Sequence, residues 1–260
     1  MSTSEHTPIR LTCPKGKKIY FASDFHLGSP DNQSSREREQ KVVNWLNKCT
    51  DDAAHIFLVG DIFDFWFEYK SVIPKGFTRL FGKLADLTDH GVGVSFFTGN
   101  HDMWMKDYFK DELNIQIFDD RQVYYIRDKK ILVAHGDGLG PGDKGYKFLK
   151  KVLRNKFTKT LFSIIRPHWG LSIANKFSKT SRGITEEKKF LGEDNEWLVQ
   201  YSKEVLQKED IDFFIFGHRH VPIDFPLSNS SRMINLGDWI TNFTYAVFDG
   251  EEMELKKHEL

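Results

Sequence analysis

At 260 residues the chain can bury a substantial core, as one large domain or as one domain with an insertion. Its 37 Lys and Arg balance 37 Asp and Glu, which excludes a global attraction to polyanions and leaves only local charge to find partners. The 23 Phe, beside 8 Tyr and 6 Trp, indicate an aromatic core with material to spare for an apolar ligand surface.

Residues 1–16 are polar, lack the apolar stretch of a signal peptide and read as a flexible tail. "KIYFAS" (18–23) follows as a buried strand that ends at Asp24-Phe25-His26. A helical stretch over about 36–48 leads to a second strand, "HIFLVG" (55–60), which ends at Asp61. Helical spacing over 75–90 precedes "GVGVSFFTG" (91–99), a third strand ending at Asn100. "QVYYIRD" and "KKILVAHGD" read as a hairpin with Asp128 and Lys129 at its turn and His135 at its end. Cys13 and Cys49 form no CxxC pair, so a disulfide framework or thiolate metal site is excluded and a reducing, cytoplasmic setting is expected. No window of about 18 apolar residues exists to span a bilayer.

Residues 144–182 differ from everything else. They hold eleven Lys or Arg and no Asp or Glu, so the rest of the chain carries about −11 to bring the total to zero. Leu149, Val152, Leu153, Phe157, Leu161, Ile164 and Ile165 recur at helical spacing, predicting a basic amphipathic helix that Pro167 ends. "HWGLSIANKF" begins a second helical piece, and a third helix over about 186–208 returns to the core. The last strand with a polar end is "IDFFIFGHRH" (211–220), carrying His218 and His220. Short antiparallel strands, "VPIDFP", "RMINLG", "TYAVFD" and "MELKKH", complete the chain. The pattern is α/β, a sandwich of mixed sheets whose core is 17–143 with 209–260, interrupted by a helical insertion over 144–208.

The strand ends deliver Asp24, His26, Asp61, Asn100, His135, His218 and His220: two carboxylates, one amide and four imidazoles. Taken singly, each is an ordinary cap or core residue. Five strand ends carrying metal-ligand types together are not ordinary, and seven donors exceed what one ion needs. Two ions sharing a carboxylate would use them. Oxygen and nitrogen donors without thiolate suit Mn²⁺, Fe or Zn²⁺.

"DFH", "GDIFD", "GNHD", "HGD" and "GHRH", in this order from 24 to 220, resemble the calcineurin-like metallophosphoesterases. The resemblance implies a four-layer αββα fold and two divalent ions, most often Mn²⁺. One ion would be held by Asp24, His26, Asp61 and His220. The other would be held by Asp61, Asn100, His135 and His218, with Asp61 bridging. His101 would act on the phosphate as a catalytic group, with Asp102 orienting its imidazole. "SDFHLG", "GDIFDFWF" and "HGDGLGPGDKGYKFLKKVLRNKFTKTLF" are similar to the UDP-2,3-diacylglucosamine pyrophosphatases of lipid A biosynthesis. That likeness implies attack of water on the UMP-side phosphorus, giving UMP and 2,3-diacylglucosamine 1-phosphate. It also implies a cap that receives acyl chains; Asn100, Tyr146, Ser178, Arg182 and Lys188 are the expected substrate contacts, and the basic, apolar-striped segment suits a peripheral position on the cytoplasmic face of the inner membrane. Well-known members of that group carry Arg where this chain has His101, which leaves another nucleotide, nucleic-acid or lipid phosphodiester as the alternative substrate. Large aliphatics interleaved with the cations argue against nucleic acid. Oligomeric state is left open, and the insertion also fits a helix merely packed on the surface. Trp66, Phe67, Met103 and Trp104 could line an apolar mouth or plug the core beneath it.

Overall fold

The computed structural model describes residues 7–142, 144–165 and 189–259. Its organisation follows from strands with two apolar faces. In β2 (Lys18–Ala22), β3 (Ala53–Val59) and β4 (Gly93–Phe97), Tyr20, Ala22, Ile56, Leu58, Val94 and Phe96 face one way, and Ile19, Phe21, Phe57, Val59 and Phe97 face the other. Side chains alternate across a strand, so a run apolar on both faces must be covered on both.

Three helices cover the first face: α1 (Asn32–Cys49), α2 (Thr78–Asp89) and α3 (Tyr108–Leu113). They bury Val42, Trp45, Leu46, Leu80, Leu84, Leu87 and Phe109 against it. Asp31 starts α1, its Oδ1 accepting the N–H groups of Gln33 and Ser34, both at 2.9 Å, and so satisfying two of the helix's orphan donors.

A second sheet covers the other face. It runs β1 (Ile9–Leu11), β6 (Gln122–Ile126), β7 (Lys129–Ala134), β8 (Phe213–Phe216), β10 (Arg232–Leu236), β9 (Pro222–Pro226). The first sheet runs β12 (Met253–Lys257), β11 (Thr244–Phe248), β2, β3, β4, β5 (Gln116–Phe118). Tyr124, Ile131, Val133, Ile215 and Ile234 meet Phe21, Phe57 and Phe97 between the sheets. On the outer face of the second sheet, Leu132, Phe214 and Met233 pack under Leu198, Val199 and Val205 of α6 (Trp197–Leu206). The result is four layers, αββα, as the resemblance to the metallophosphoesterases implies.

The sequence reading needs three corrections. Part of the N-terminal tail is structured, since Ile9–Leu11 pairs in parallel with Tyr124–Ile126 as an edge strand. The hairpin turns at Arg127 and Asp128 rather than Asp128 and Lys129, with Arg127 at φ 54°. Among the described residues the third helix is Trp197–Leu206, with 189–196 outside any helix, and it is a layer of the core rather than part of a cap. The second helical piece lies outside the described residues.

The insertion begins with α4 (Lys144–Arg154) and α5 (Lys156–Ile164). Leu153 and Phe162 pack on Phe67, Met103 and Trp104, and the Trp104 indole N–H donates to the Leu153 carbonyl at 2.8 Å. Trp66 is fully buried in the main core, so these aromatics plug and brace rather than form an open mouth.

Candidate metal centre

The C-terminal ends of β2, β3, β4, β7 and β8 point to one place, the crevice where α/β sheets set their sites. Short bonds lock the ends together. Asp24 N–H donates to the Gly60 carbonyl at 3.0 Å, His26 N–H to Asp61 at 2.9 Å, and Gly217 N–H to His135 at 2.9 Å. Immediately beyond the strands, Asp24, His26, Asp61, His218 and His220 all take left-handed backbone, with φ between 45° and 68°. Each such residue costs on the order of 1–3 kcal/mol, a strain that clusters at functional sites. It also answers how residues two apart, such as Asp24 and His26, aim the same way: the strand has already ended.

Two glycines pressed against the ligand carboxylates leave no room for a side chain. A Cβ on Gly99 would stand 2.1 Å from Asp61 Oδ1, and one on Gly217 would stand 2.6 Å from Asp24 Oδ2. Glycine is required there so that backbone can press against the carboxylates.

Each carboxylate is half committed. Asp24 Oδ2 accepts from the Ser23 hydroxyl and from the His218 N–H at 3.0 Å, which leaves Oδ1 facing His220 Nε2 at 3.3 Å. Asp61 Oδ1 accepts the His101 N–H at 2.9 Å, which leaves Oδ2 between His135 Nε2 at 3.4 Å and His26 Nε2 at 3.7 Å. His135 Nδ1 donates to the Val59 carbonyl at 2.9 Å, which fixes the ring and turns Nε2 toward Asp61. Three sets of donors gather within 4.8 Å: Asp24, His26 and His220; Asp61, His135 and His218; and His26, Asp61 and His101. Asp24 Oδ1, Asn100 Oδ1 and His135 Nε2 are buried without a hydrogen bond. Buried acceptors with no donor are costly unless a cation serves them, so the donor set fits a pair of divalent ions.

The electrostatics agree. Burial would push the Asp61 carboxyl up, but His135, His101 and His26 outweigh it and hold it well below the usual carboxylate range. Asp24, equally buried, is held down by His220 and His26. Burial disfavours charge on His26 and His135 too, yet the facing carboxylates raise both to about 10. Buried beside cationic His135, His218 falls to about 4 and keeps its lone pair at neutral pH. The cluster demands positive charge at its centre.

His101 sits against the cluster, its ring edge-on to His26 at a centroid distance of 4.8 Å. The expected partner of its imidazole, Asp102, does not reach it. Asp102 is fully buried and accepts instead from the N–H groups of Ile62 at 2.8 Å and Gly99 at 2.7 Å, tying the two motif loops together. Burial and the charge of Asp61 push its carboxyl up to about 7. Asp64 does the orienting: His101 Nδ1 donates to its carbonyl at 2.9 Å, because a carbonyl can only accept, and its carboxylate lies 3.6 Å from His26 Nδ1. The second acid of "GDIFD" was the signal for it.

Among the expected substrate contacts, Asn100 lies at the cluster, whereas Ser178, Arg182 and Lys188 lie outside the described residues. The Tyr146 hydroxyl donates to Asp137 Oδ2 at 2.8 Å, and Lys150 Nζ is 2.7 Å from the same oxygen. Arg154, one further step along this face, donates to Thr98 Oγ1 at 3.3 Å. Tyr146, Lys150 and Arg154 are spaced i, i+4, i+8, so α4 turns its polar stripe toward the metal side. Phe148, Leu149, Val152, Phe157, Leu161 and Ile164 of the two helices are exposed. The amphipathic helix is inverted relative to one that packs its apolar face on a core.

A crevice of oxygen and imidazole donors at the C-terminal ends of strands from both sheets defines a candidate divalent-metal centre. The sequence profile of the calcineurin-like phosphoesterase family matches residues 17–222, and the chain belongs to that family. It is 38% identical over 256 residues to a Porphyromonas gingivalis protein named UDP-2,3-diacylglucosamine hydrolase, covering 93% of this chain and 98% of that protein. Proteins of the same name from Vibrio atlanticus, 28% identical over 253 residues, and Haemophilus influenzae, 27% identical over 230 residues, cover 93% and 87% of this chain and 98% and 92% of their own lengths.

Proposed function

We propose that the chain hydrolyses the pyrophosphate bond of UDP-2,3-diacylglucosamine, yielding UMP and 2,3-diacylglucosamine 1-phosphate. The observation that carries the chemistry is Asp61 Oδ2, set between the imidazoles of His26 and His135. The substrate rests on the relatives, which match nearly the whole chain. Asp24, His26, Asp61 and His220 would hold one ion, and Asp61, Asn100, His135 and His218 would hold the other, donors that suit Mn²⁺, Fe or Zn²⁺. When bound, the pair polarises a phosphoryl oxygen and lowers the pKa of a bound water. With Nδ1 committed to Asp64, His101 presents Nε2 to the phosphate and its leaving group. His101→Ala is expected to keep both metals while slowing turnover about 10²–10⁴-fold, the usual share of a positioned acid or base. Metal analysis beside kcat checks this, and loss of an ion would move His101 into the ligand set.

The outward apolar face of α4 and α5 suits acyl chains or a membrane surface, with the cations of the same segment meeting anionic headgroups. Among the described residues no helix is long and apolar enough to cross a membrane, so contact through this face is peripheral. Phe148 and Phe157 are 70% and 76% exposed. Covering one such side chain contributes about 1.5–3 kcal/mol, so F148D/F157D is expected to lose about 10–100-fold or more in kcat/KM on the acylated substrate. Its rate on bis-nitrophenyl phosphate should not change; equal losses on both would make the face structural.

The function itself is tested by assaying protein loaded with Mn²⁺ on UDP-2,3-diacylglucosamine, bis-nitrophenyl phosphate and single-stranded DNA. Preference for the acylated UDP-sugar supports the proposal. Preference for DNA, with a steep loss on adding salt, would replace it with a nuclease.

A further inference from the structure

Between the two ligand histidines of "GHRH" stands Arg219, a cation 1% exposed beside a metal centre that already needs positive charge. Its partners explain its presence. Arg219 Nε lies 2.9 Å from Glu196 Oε1 and Nη2 lies 3.3 Å from Glu196 Oε2, a fork-to-fork pair with Glu196 itself fully buried. Nη2 also donates to the Lys189 carbonyl at 3.0 Å, and the guanidinium lies over the Trp197 ring at 4.9 Å. Trp197 in turn meets the His218 ring at a centroid distance of 6.5 Å. Glu196 and Trp197 open α6, and Lys189 is the first described residue beyond 165. One side chain thus ties the return of the insertion and the start of a core helix to the loop that carries two donors.

That loop needs a brace. His218 and His220 both hold left-handed backbone, at φ 68° and 55°, and such conformations persist only where the surroundings over-determine them. The cation is directed away from the metals by a carboxylate that matches its planar fork, a geometry lysine does not reproduce. Removing either partner alone leaves a buried unpaired charge, which unfolds proteins for reasons unrelated to metals.

We infer that Arg219, through Glu196 and Trp197, is a positioning residue for His218 and His220 and thereby sets metal affinity. This rests on the two-metal reading above. It is tested by calorimetric titration of metal-stripped protein with Mn²⁺, with the melting temperature measured alongside. Wild type is compared with R219M/E196M, which removes both charges together, and with R219K, which keeps the charge and loses the fork. V205A, a cavity variant on the far side of α6, controls for loss of stability. Both Arg219 variants are expected to bind Mn²⁺ about 10–100-fold more weakly, the usual effect of removing a partner that orients a ligand. V205A should melt earlier with unchanged affinity. Unchanged affinity in R219M/E196M or R219K, or an equal loss in V205A, would overturn the inference while leaving the metal centre standing. Wild type that binds no Mn²⁺ would overturn both.

Discussion

Asp61→Ala is expected to abolish turnover and to leave at most one weakly held ion per chain. Asp61 stands between the two halves of the donor cluster, with Oδ2 toward His135 and His26 and Oδ1 fixed by the His101 N–H. Its loss removes the bridge and frees the backbone at His101, so ion spacing and acid placement fail together. A metal pair contributes several kcal/mol to stabilising charge in the transition state, so a fall of about 10³–10⁴-fold or more is expected. The substitution leaves the His101 N–H and the His135 imidazole without their carboxylate, so the melting temperature is measured alongside to separate loss of fold from loss of metal. Metal content by mass spectrometry and kcat on the acylated UDP-sugar check the prediction together. Full activity would place the chemistry elsewhere.

Gly99→Ala is expected to have a comparable effect from a single methyl group. The new Cβ would stand 2.1 Å from Asp61 Oδ1 and 2.6 Å from Asp61 N, and neither neighbour can yield. Asp61 itself is at φ 53°, and Asp102 holds the Gly99 N–H at 2.7 Å and the Ile62 N–H at 2.8 Å. The loops after β3 and β4 must therefore separate, which costs about 1–3 kcal/mol or more in stability and misplaces the bridge. A lower melting temperature with loss of bound metal is the expected result. Wild-type melting and metal content would show that the two loops are softer than their hydrogen bonds imply.

Much of this site was legible from the chain because ligand types recur at the ends of strongly apolar strands. Strand periodicity locates Asp24, Asp61, Asn100, His135 and His218 without three-dimensional knowledge. What escaped depends on choices among partners. Asp64 and Asp102 are both acids near His101 in sequence, and only the folded loops decide that Asp64 holds the imidazole while Asp102 holds backbone. The helical spacing of α4 reveals two faces but not which one looks inward. Here Asp137 attracts Tyr146 and Lys150, turning the apolar stripe outward. The edge strand Ile9–Leu11 is too short for a periodic signal and exists because β6 offers an unpaired edge. Arg219 is silent in sequence, since its fork is answered by a glutamate 23 residues away.

Electron paramagnetic resonance of the metal-stripped protein titrated with Mn²⁺ tests the central claim most directly. Two equivalents bound per chain and the signal of an exchange-coupled pair, lost in Asp61→Ala, are the expected result. A single equivalent, or two ions with the spectrum of isolated Mn²⁺, would contradict it.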